Sequence, residues 1–299
     1  MKELKGVLPV VQLPYHMDES IDWATFHRSI DWQFECGVDG ITIAMVSEVF
    51  RLTDVERDQL VAETVNAVQN RGPVVVSTGA ESCRQAIRHT LAAEVNGADA
   101  SMVTPPMLTK CGSKDLKDYY TAILQSSSMP LIIQDASGYM GNAIPTSLMS
   151  EIYHEHPDRV FFKPEAQPLG PMLSALRDAT GGKAGIFEGS GGLALVDNYR
   201  RGIIGSMPGG EIPWAVVALW NALQSGDTIR AREIHFPLVA MVSMMHNLDA
   251  FVQVEKLLLK HQGIFKNTIV RGPVGFTMDS ETEATVIDLF DILKQRCQQ

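Results

Sequence analysis

The chain has 299 residues, of which 45% are hydrophobic and 20% are charged, and its formal net charge is −10. This composition is typical of a globular protein with a large core, and the acidic balance disfavours nucleic acid as a partner, because phosphate groups are bound by basic patches. No uncharged apolar stretch of about 18 residues occurs and the first residues lack the apolar segment of a secretory signal, so we expect a cytoplasmic protein without a membrane partner.

Strand-like and helical patterns alternate eight times along the first part of the chain. The strand-like runs are Val7–Leu13, Gly40–Met45, Val74–Thr78, Ala100–Thr104, Leu131–Gln134, Val160–Lys163, Gly185–Glu188 and Ile203–Met207. The helical patterns are Asp22–Glu35, Asp54–Val68, Glu81–Val95, Asp115–Leu124, Thr146–Tyr153, Gly170–Ala179, Leu193–Arg201 and Pro213–Leu223. This alternation predicts an α/β fold, a (β/α)₈ barrel. A doubly wound sheet is the alternative, although no Gly-x-Gly-x-x-Gly follows the first strand.

The pattern after Gly226 is helical throughout. The periodicity predicts three helices, over Asp227–His246, Ala250–Gln262 and Ser280–Arg296. We therefore predict a barrel over residues 1–226 and a three-helix region over residues 227–299 that packs on the barrel.

The four cysteines are scattered and form no Cys-x-x-Cys pair. This distribution argues against a zinc site and a disulfide framework, and it agrees with a reducing compartment. The histidines show no metal-binding spacing either. We therefore expect neither a metal nor a cofactor.

Lys163 ends a short apolar run that predicts a buried strand. Burial removes water from an ammonium group and favours the neutral amine, which is the nucleophile that forms a Schiff base with a carbonyl substrate. Alternation along a strand puts Phe161, Lys163 and Glu165 on the same side, so an amine and a carboxylate share one face. The alternative is a lysine at the strand end that reaches into solvent, since lysine is rarely fully buried.

Polar and small residues follow several of the other predicted strands. Catalytic groups of a (β/α)₈ barrel lie at the C-terminal ends of its strands, so these residues are candidates for one active-site mouth. They are Ser47, Glu48, Gln134, Glu188, Gly189 and Ser190, in addition to Lys163 and Glu165.

The order of these strand-end motifs resembles the family of dihydrodipicolinate synthase and N-acetylneuraminate lyase over nearly the whole chain. The motifs are Gly37-Val38-Asp39-Gly40, Ser47-Glu48-x-x-x-Leu52-x-x-x-Glu56-Arg57, Thr78-Gly79, Gly97-Ala98-Asp99, Thr104-Pro105-Pro106, Lys163-x-Glu165 and Arg271-Gly272-Pro273. The resemblance implies a barrel with a C-terminal helical annex, a homodimer or homotetramer, and a 2-keto acid substrate such as pyruvate. It also implies that Lys163 forms the imine.

The sequence departs from the common pattern of that family at two loops. The usual Tyr-Asn-x-Pro at the fifth strand is here Gln134-Asp135-Ala136-Ser137, which lacks the proton-shuttling tyrosine. The usual Gly-Thr-Thr-Gly-Glu loop is here Ala44-Met45-Val46-Ser47-Glu48, which lacks both threonines. The basic residue expected after the fifth strand is Tyr139.

These departures resemble a different branch, the L-2-keto-3-deoxyarabonate dehydratases. The segments that carry this resemblance are Ser47–Arg57, Gln134–Ala136, Phe162–Glu165 and Glu188-Gly189. In that branch a carboxylate beside the Schiff base replaces the tyrosine as the base. The resemblance therefore implies a lyase that removes water from a 2-keto-3-deoxy sugar acid.

The residues predict a role for each group in such a reaction. Lys163 forms the imine at C2 and Glu165 removes a proton from C3. The enamine then expels the C4 hydroxyl, which is protonated by Ser190 or by a water molecule that Ser190 holds. Gln134 and Gly189 are expected to contact the substrate. Amides near Ser47 and Glu48 are expected to receive its carboxylate.

Other interpretations of the same residues remain open. Glu165 could form an ion pair that keeps Lys163 protonated. Ser190 could serve a tight turn and Ser47 a turn or a cap, and we expect Glu188 to be a satisfied carboxylate at the rim. The alternative functions are a 2-keto acid aldolase or a dihydrodipicolinate synthase-like enzyme, and a barrel that binds 2-keto acids without catalysis.

Overall fold

The computed structural model describes residues 2–138, 141 and 143–298. Within these residues eight parallel strands form one sheet in the order β1-β8-β7-β6-β5-β4-β3-β2. The strands are β1 Gly6–Val7, β2 Ile41–Ile43, β3 Val74–Ser77, β4 Ala100–Val103, β5 Leu131–Asp135, β6 Val160–Pro164, β7 Gly185–Glu188 and β8 Gly205–Ser206. The predicted α/β architecture, a (β/α)₈ barrel, is confirmed.

The first strand is shorter than the predicted run Val7–Leu13 and yet closes the barrel. Pro9 interrupts the ladder because proline has no N–H to donate. Beyond it, the N–H of Val11 donates to the carbonyl of Thr42 at 3.0 Å, and the N–H of Thr42 donates to the carbonyl of Pro9 at 2.8 Å. Single backbone bridges therefore join β1 to β2 where a regular ladder was expected.

Eight helices follow the strands on the outside of the barrel. They are α1 Trp23–Glu35, α2 Asp54–Val68, α3 Cys83–Val95, α4 Ser113–Ser126, α5 Thr146–Glu155, α6 Leu169–Ala179, α7 Leu195–Arg200 and α8 Pro213–Ser225. Helix α2 begins with a capping box, in which Thr53 accepts from the N–H of Glu56 and the Glu56 carboxylate accepts from the N–H of Thr53. Two 3₁₀ turns over Met45–Ser47 and Val49–Arg51 connect β2 to α2.

The C-terminal segment forms α9 Thr228–Val242, α10 Leu248–His261 and α11 Ser280–Gln298. Helix α9 ends before the predicted His246, because Asn247 caps the next helix by accepting from the N–H of Ala250 at 3.0 Å. Leu238 of α9 and Phe290 of α11 share a core with Leu219 of α8. Helix α10 packs against the 3₁₀ turn Met45–Ser47 and so lies at the C-terminal end of the barrel. No helix in the described part of the chain is long and apolar enough to cross a membrane.

A buried ion pair joins α10 to the loop after β2. Lys256 and Glu48 are both buried, and the Lys256 ammonium donates to the Glu48 carboxylate. The ammonium also donates to the carbonyl of Ile269 at 2.7 Å and lies 4.4 Å from the ring centroid of Tyr15. The second oxygen of Glu48 accepts from the N–H of Arg271 at 3.3 Å. The pair thus connects the β2 loop, α10 and the segment between α10 and α11.

Replacement of Lys256 by methionine is expected to lower the free energy of unfolding by about 3–5 kcal/mol, because it leaves the buried Glu48 carboxylate without its countercharge. Chemical denaturation measures this change. Lys260→Met, on an exposed position of the same helix, should change the free energy by no more than about 0.5 kcal/mol. Equal effects of the two substitutions would contradict the assignment of a stabilising role to the ion pair.

Candidate functional site

A cavity opens at the C-terminal ends of the strands, between the barrel and α10. Most of its wall is apolar, with Val10, Met207, Leu248 and Phe251 among the lining residues. Its ionisable lining residues, within the described chain, are Lys163, Glu165 and Glu255. A site at this end of the barrel is where a (β/α)₈ fold carries its chemistry.

Lys163, Glu165 and Gln134 form one hydrogen-bonded group in this cavity. Parallel pairing of β5 with β6 sets Gln134 beside Lys163 in the ladder. The Lys163 ammonium donates to Glu165 Oε1 at 2.7 Å, and the Gln134 amide donates to Glu165 Oε2 at 2.8 Å. The exposed fractions are only 4% for Lys163, 5% for Glu165 and 0% for Gln134. The amine of Lys163 and the carboxylate of Glu165 therefore lie on one face of the strand, as the alternation predicted.

The contact between Lys163 and Glu165 is the ion pair that was the alternative interpretation of these residues. Solvent exposure of Lys163, the other alternative, is wrong. The pair does not exclude a nucleophilic lysine, because a proton that moves along the hydrogen bond leaves a neutral amine and a carboxylic acid. The 2.7 Å separation is a direct path for that proton.

Gly189 provides the space that this pair occupies. A β-carbon at this position would overlap Glu165 Oε1 and lie 2.6 Å from Lys163 Cε. Gly189 also lines the cavity, so a ligand beside Lys163 would meet its backbone. The glycine is therefore needed here for close approach rather than for backbone conformation.

Ser190 lies outside the cavity lining, unlike its neighbours Gly189 and Gly191. Its hydroxyl donates to Glu188 Oε1 and accepts from the N–H of Ala194 at 3.0 Å. Glu188 also accepts from the Ser206 hydroxyl at 2.6 Å, so it is a satisfied carboxylate at the rim, as expected. Both hydrogen bonds of the Ser190 hydroxyl are thus made within this turn, which agrees with the alternative that Ser190 serves a tight turn. The structure does not bring Ser190 to Lys163.

Ser47 and Glu48 are likewise turned away from the cavity. The Ser47 hydroxyl donates to the carbonyl of Val11, and Glu48 pairs with Lys256. Their N–H groups donate at 2.9 Å to the carbonyls of Ala44 and Met45 within the 3₁₀ turn. We therefore correct the predicted substrate contacts at these two residues.

The amides of Met45 and Val46 are better suited to receive a carboxylate. Both residues line the cavity, and in the part of the chain that is described neither N–H has a hydrogen-bond acceptor. The first N–H groups of a helical turn have no partner within the turn, which is why these two are unpaired and those of Ser47 and Glu48 are not. Tyr139, named above from the family pattern, lies outside the described residues.

Glu255 is a cavity residue that the sequence did not indicate. Helix α10 carries it into the cavity lining, where its side chain is 2% exposed and accepts from the Gln12 amide at 2.7 Å. Glu211, just beyond β8, is also buried, with 3% of its surface exposed. Its carboxylate lies near that of Glu255, because a β-carbon placed on Gly209 would overlap one oxygen of Glu211 and one oxygen of Glu255. One feature of the sequence could have indicated Glu255. It is an acidic residue in the mostly apolar segment Val252–Leu259, one helical turn after Phe251.

Burial governs the protonation of these two acids. It raises the pKa of Glu211 to about 7, and burial followed by the nearby Glu211 raises the pKa of Glu255 well above its ordinary value. Elsewhere in the described residues, no three or more histidine, cysteine or acidic side chains are grouped so that they could hold a metal ion.

The pKa of Glu211 predicts how stability depends on pH. Since its folded value of about 7 exceeds the ordinary 4.5, the folded chain retains a proton that the unfolded chain releases, so the free energy of unfolding falls as pH rises from 4.5 through 7. The loss is on the order of 3 kcal/mol. Denaturation at several pH values should show this slope reduced in Glu211→Gln and kept in the exposed Glu283→Gln. A slope that Glu211→Gln leaves intact would contradict the assignment.

The match to known proteins extends over the whole architecture. The model of the dihydrodipicolinate synthetase family matches residues 3–292. A 4-hydroxy-tetrahydrodipicolinate synthase of Fervidobacterium nodosum is 27% identical and aligns over 88% of this chain and 90% of the relative. An L-2-keto-3-deoxyarabonate dehydratase of Azospirillum brasilense is 26% identical, over 90% of this chain and 88% of the relative.

A solved structure has the same fold. The 4-hydroxy-tetrahydrodipicolinate synthase of Methylacidiphilum fumariolicum superposes with a TM-score of 0.90 at 22% identity, covering 99% of this chain and 98% of that one. The family match, the barrel and the C-terminal helices agree with one another. The chain belongs to the dihydrodipicolinate synthetase family, whose members are lyases and aldolase-like enzymes.

Proposed function

We propose that the protein is a lyase that dehydrates a 2-keto-3-deoxy sugar acid through a Schiff base on Lys163. The observation that carries the proposal is the buried group in which one carboxylate, Glu165, contacts both the amine of Lys163 and the amide of Gln134. The amine supplies a nucleophile for C2 of the substrate, and the carboxylate in contact with it supplies a base for the adjacent C3.

The substrate carboxylate would be held by the free amides of Met45 and Val46. Two adjacent N–H groups at the start of a helical turn suit an anion without any cationic side chain. A substrate so anchored offers its C2 carbonyl to Lys163 across the cavity, because β2 and β6 lie on opposite sides of the closed barrel. Attack by the neutral amine forms the protonated imine. The carbonyl oxygen takes one proton from the amine and the proton that Glu165 received from Lys163, and it leaves as water, so Glu165 is again a carboxylate.

Glu165 is the proposed base for the C3 proton. The imine withdraws electrons and makes that proton acidic, and Glu165 is the carboxylate beside Lys163. Gln134 stands where the family commonly has a tyrosine, and an amide cannot transfer a proton as a phenol can. The Gln134 amide instead fixes the carboxylate by donating to Oε2, and its own Oε1 has no partner among the described residues. That oxygen is available to a substrate hydroxyl.

The enamine formed in this way expels the C4 hydroxyl and completes the loss of water. The similarity to the Azospirillum dehydratase supports this outcome. The similarity to 4-hydroxy-tetrahydrodipicolinate synthases favours a second candidate, an enzyme that uses or releases pyruvate. The two candidates share the imine and differ in the bond that breaks next: carbon–oxygen in the dehydratase, carbon–carbon in an aldolase.

Reduction with borohydride in the presence of pyruvate tests the imine. We expect a covalent adduct on Lys163, located by peptide mass spectrometry, and none in Lys163→Met, whereas Lys183→Met, at an exposed position, should be labelled like the parent chain. Glu165→Gln should retain part of the labelling but lose at least about 100-fold in turnover, because the base is gone. Labelling at another residue, or none, would reject the mechanism.

Product analysis with a set of 2-keto-3-deoxy acids separates the two candidates. A dehydratase yields a product lighter by one water and no pyruvate. An aldolase yields pyruvate, which lactate dehydrogenase detects.

The contact at Gly189 predicts a further effect on imine formation. In Gly189→Ala the new methyl group displaces Lys163 or Glu165, and we expect the rate of adduct formation to fall at least about 10-fold, because small displacements of reacting groups are costly. Gly112→Ala is the matched control, since its nearest neighbour would be Asp115 Oδ2 at 3.7 Å. Adduct formation at the parental rate in Gly189→Ala would show that this close approach is unimportant.

A further inference from the structure

The proposed dehydration requires an acid that protonates the departing hydroxyl. Ser190, the donor expected from the sequence, gives its proton to Glu188 and lies outside the cavity lining. Gln134 carries only an amide. Of the ionisable residues that line the cavity in the described chain, Lys163 and Glu165 are used as nucleophile and base, and Glu255 is left.

The surroundings of Glu255 suit an acid that is kept protonated. One oxygen accepts from the Gln12 amide at 2.7 Å. A β-carbon on Gly209 would overlap both the other oxygen and Oε2 of Glu211, so the two carboxyls share the space that this glycine leaves open. That Glu211 oxygen is buried and has no hydrogen-bond partner within the described residues. Ionisation of both would place two like charges in one buried space, so the pair favours retention of a proton.

The charged groups around the pair do not remove that proton. Lys256 is the next residue of α10, but its ammonium is turned to Glu48 and to the carbonyl of Ile269. Arg51 pairs with Asp249 and lies 4.0 Å from a carboxylate oxygen of Glu48. Within the described chain, no cation therefore forms an ion pair with Glu211 or Glu255, and both acids are buried.

We propose that Glu255 is the general acid that protonates the departing C4 hydroxyl, and that Glu211 is the positioning residue that keeps Glu255 protonated. This inference rests on the dehydratase function proposed above. As the enamine electrons return to form the iminium, the C3–C4 double bond forms and the C4–O bond breaks. The hydroxyl oxygen takes the Glu255 proton and leaves as water. Glu165 releases the proton that it took from C3 and Glu255 regains one from solvent in the open cavity, so the substrate loses one water in total.

The proposed acid, Glu255, and the proposed base, Glu165, lie on different parts of the cavity wall. Glu165 lies beside the amine after β6, whereas Glu255 lies near Gly209 after β8 and near Gln12 after β1. Strand β7 lies between these two parts of the wall. A substrate held between them can therefore meet a base and an acid on different sides, and neither proton transfer requires the other carboxylate to move.

Two reactions of the same variant test the proposal. Exchange of the methyl protons of pyruvate in deuterated water needs only the imine and the base, whereas dehydration of 2-keto-3-deoxy-L-arabonate also needs the acid. In Glu255→Gln we expect exchange and Lys163 labelling to stay within about threefold of the parent chain, and dehydration to fall at least about 100-fold. Glu255→Asp, which retains an acid, should recover part of the dehydration.

Glu211→Gln tests the positioning role. Removal of the neighbouring carboxylate should lower the pKa of Glu255 and move the alkaline limb of the dehydration rate to lower pH, while pyruvate exchange keeps its pH profile. An unmoved limb would reject the role of Glu211.

The outcomes distinguish this inference from the proposed function. A parent chain that exchanges pyruvate protons but dehydrates no 2-keto-3-deoxy acid overturns both proposals. A parent chain that dehydrates and a Glu255→Gln variant that dehydrates equally well overturn the acid alone. Loss of pyruvate exchange together with dehydration in Glu255→Gln would mean that Glu255 supports the fold of the site, and it would also overturn the acid.

Discussion

The arrangement of the candidate site depends on the buried ion pair between Glu48 and Lys256. Burial alone disfavours such charges, and it lowers the pKa of Lys256 to about 8 even beside its partner carboxylate. The pair fixes α10 against the loop after β2. That loop carries the amides of Met45 and Val46, and α10 carries Glu255. One interaction thus fixes the amides and the acid relative to each other on neighbouring parts of the cavity wall.

Glu255 and Lys256 are consecutive residues of α10 that contact different parts of the barrel. Adjacent positions on a helix point about 100° apart, so Lys256 reaches the β2 loop while Glu255 faces Gln12 and the end of β8. The family pattern supplies a tyrosine at the fifth strand, and here Gln134 stands in its place. In our proposals the proton transfers of that phenol are divided between Glu165, which the barrel supplies, and Glu255, which the C-terminal helices supply.

The barrel and the pair Lys163–Glu165 could be predicted because both follow from short-range patterns. Alternating strand and helix segments gave the topology, and a period of two put the amine and the carboxylate on one face. The shortening of β1 follows from Pro9, whose effect on the ladder is also local. The contacts of Ser47 and Glu48 could not be predicted, because they depend on a 3₁₀ turn and on Lys256, which lies 208 residues further along the chain. The same is true of Glu255, whose neighbours Gln12 and Glu211 come from the segments after β1 and β8.

The carboxyl pair Glu211–Glu255 is costly to keep, and this argues for a role beyond packing. A buried acid that only filled space could be replaced by a neutral residue of similar shape at no cost in stability. Here Gly209 leaves room for both carboxyls, and one oxygen of Glu211 is a desolvated acceptor that has no hydrogen-bond partner in the described part of the chain. Such a site favours proton retention over charge, which suits an acid that must donate to a neutral hydroxyl near neutral pH. The destabilisation of the ionised pair and the proposed ability of Glu255 to donate therefore have the same physical origin.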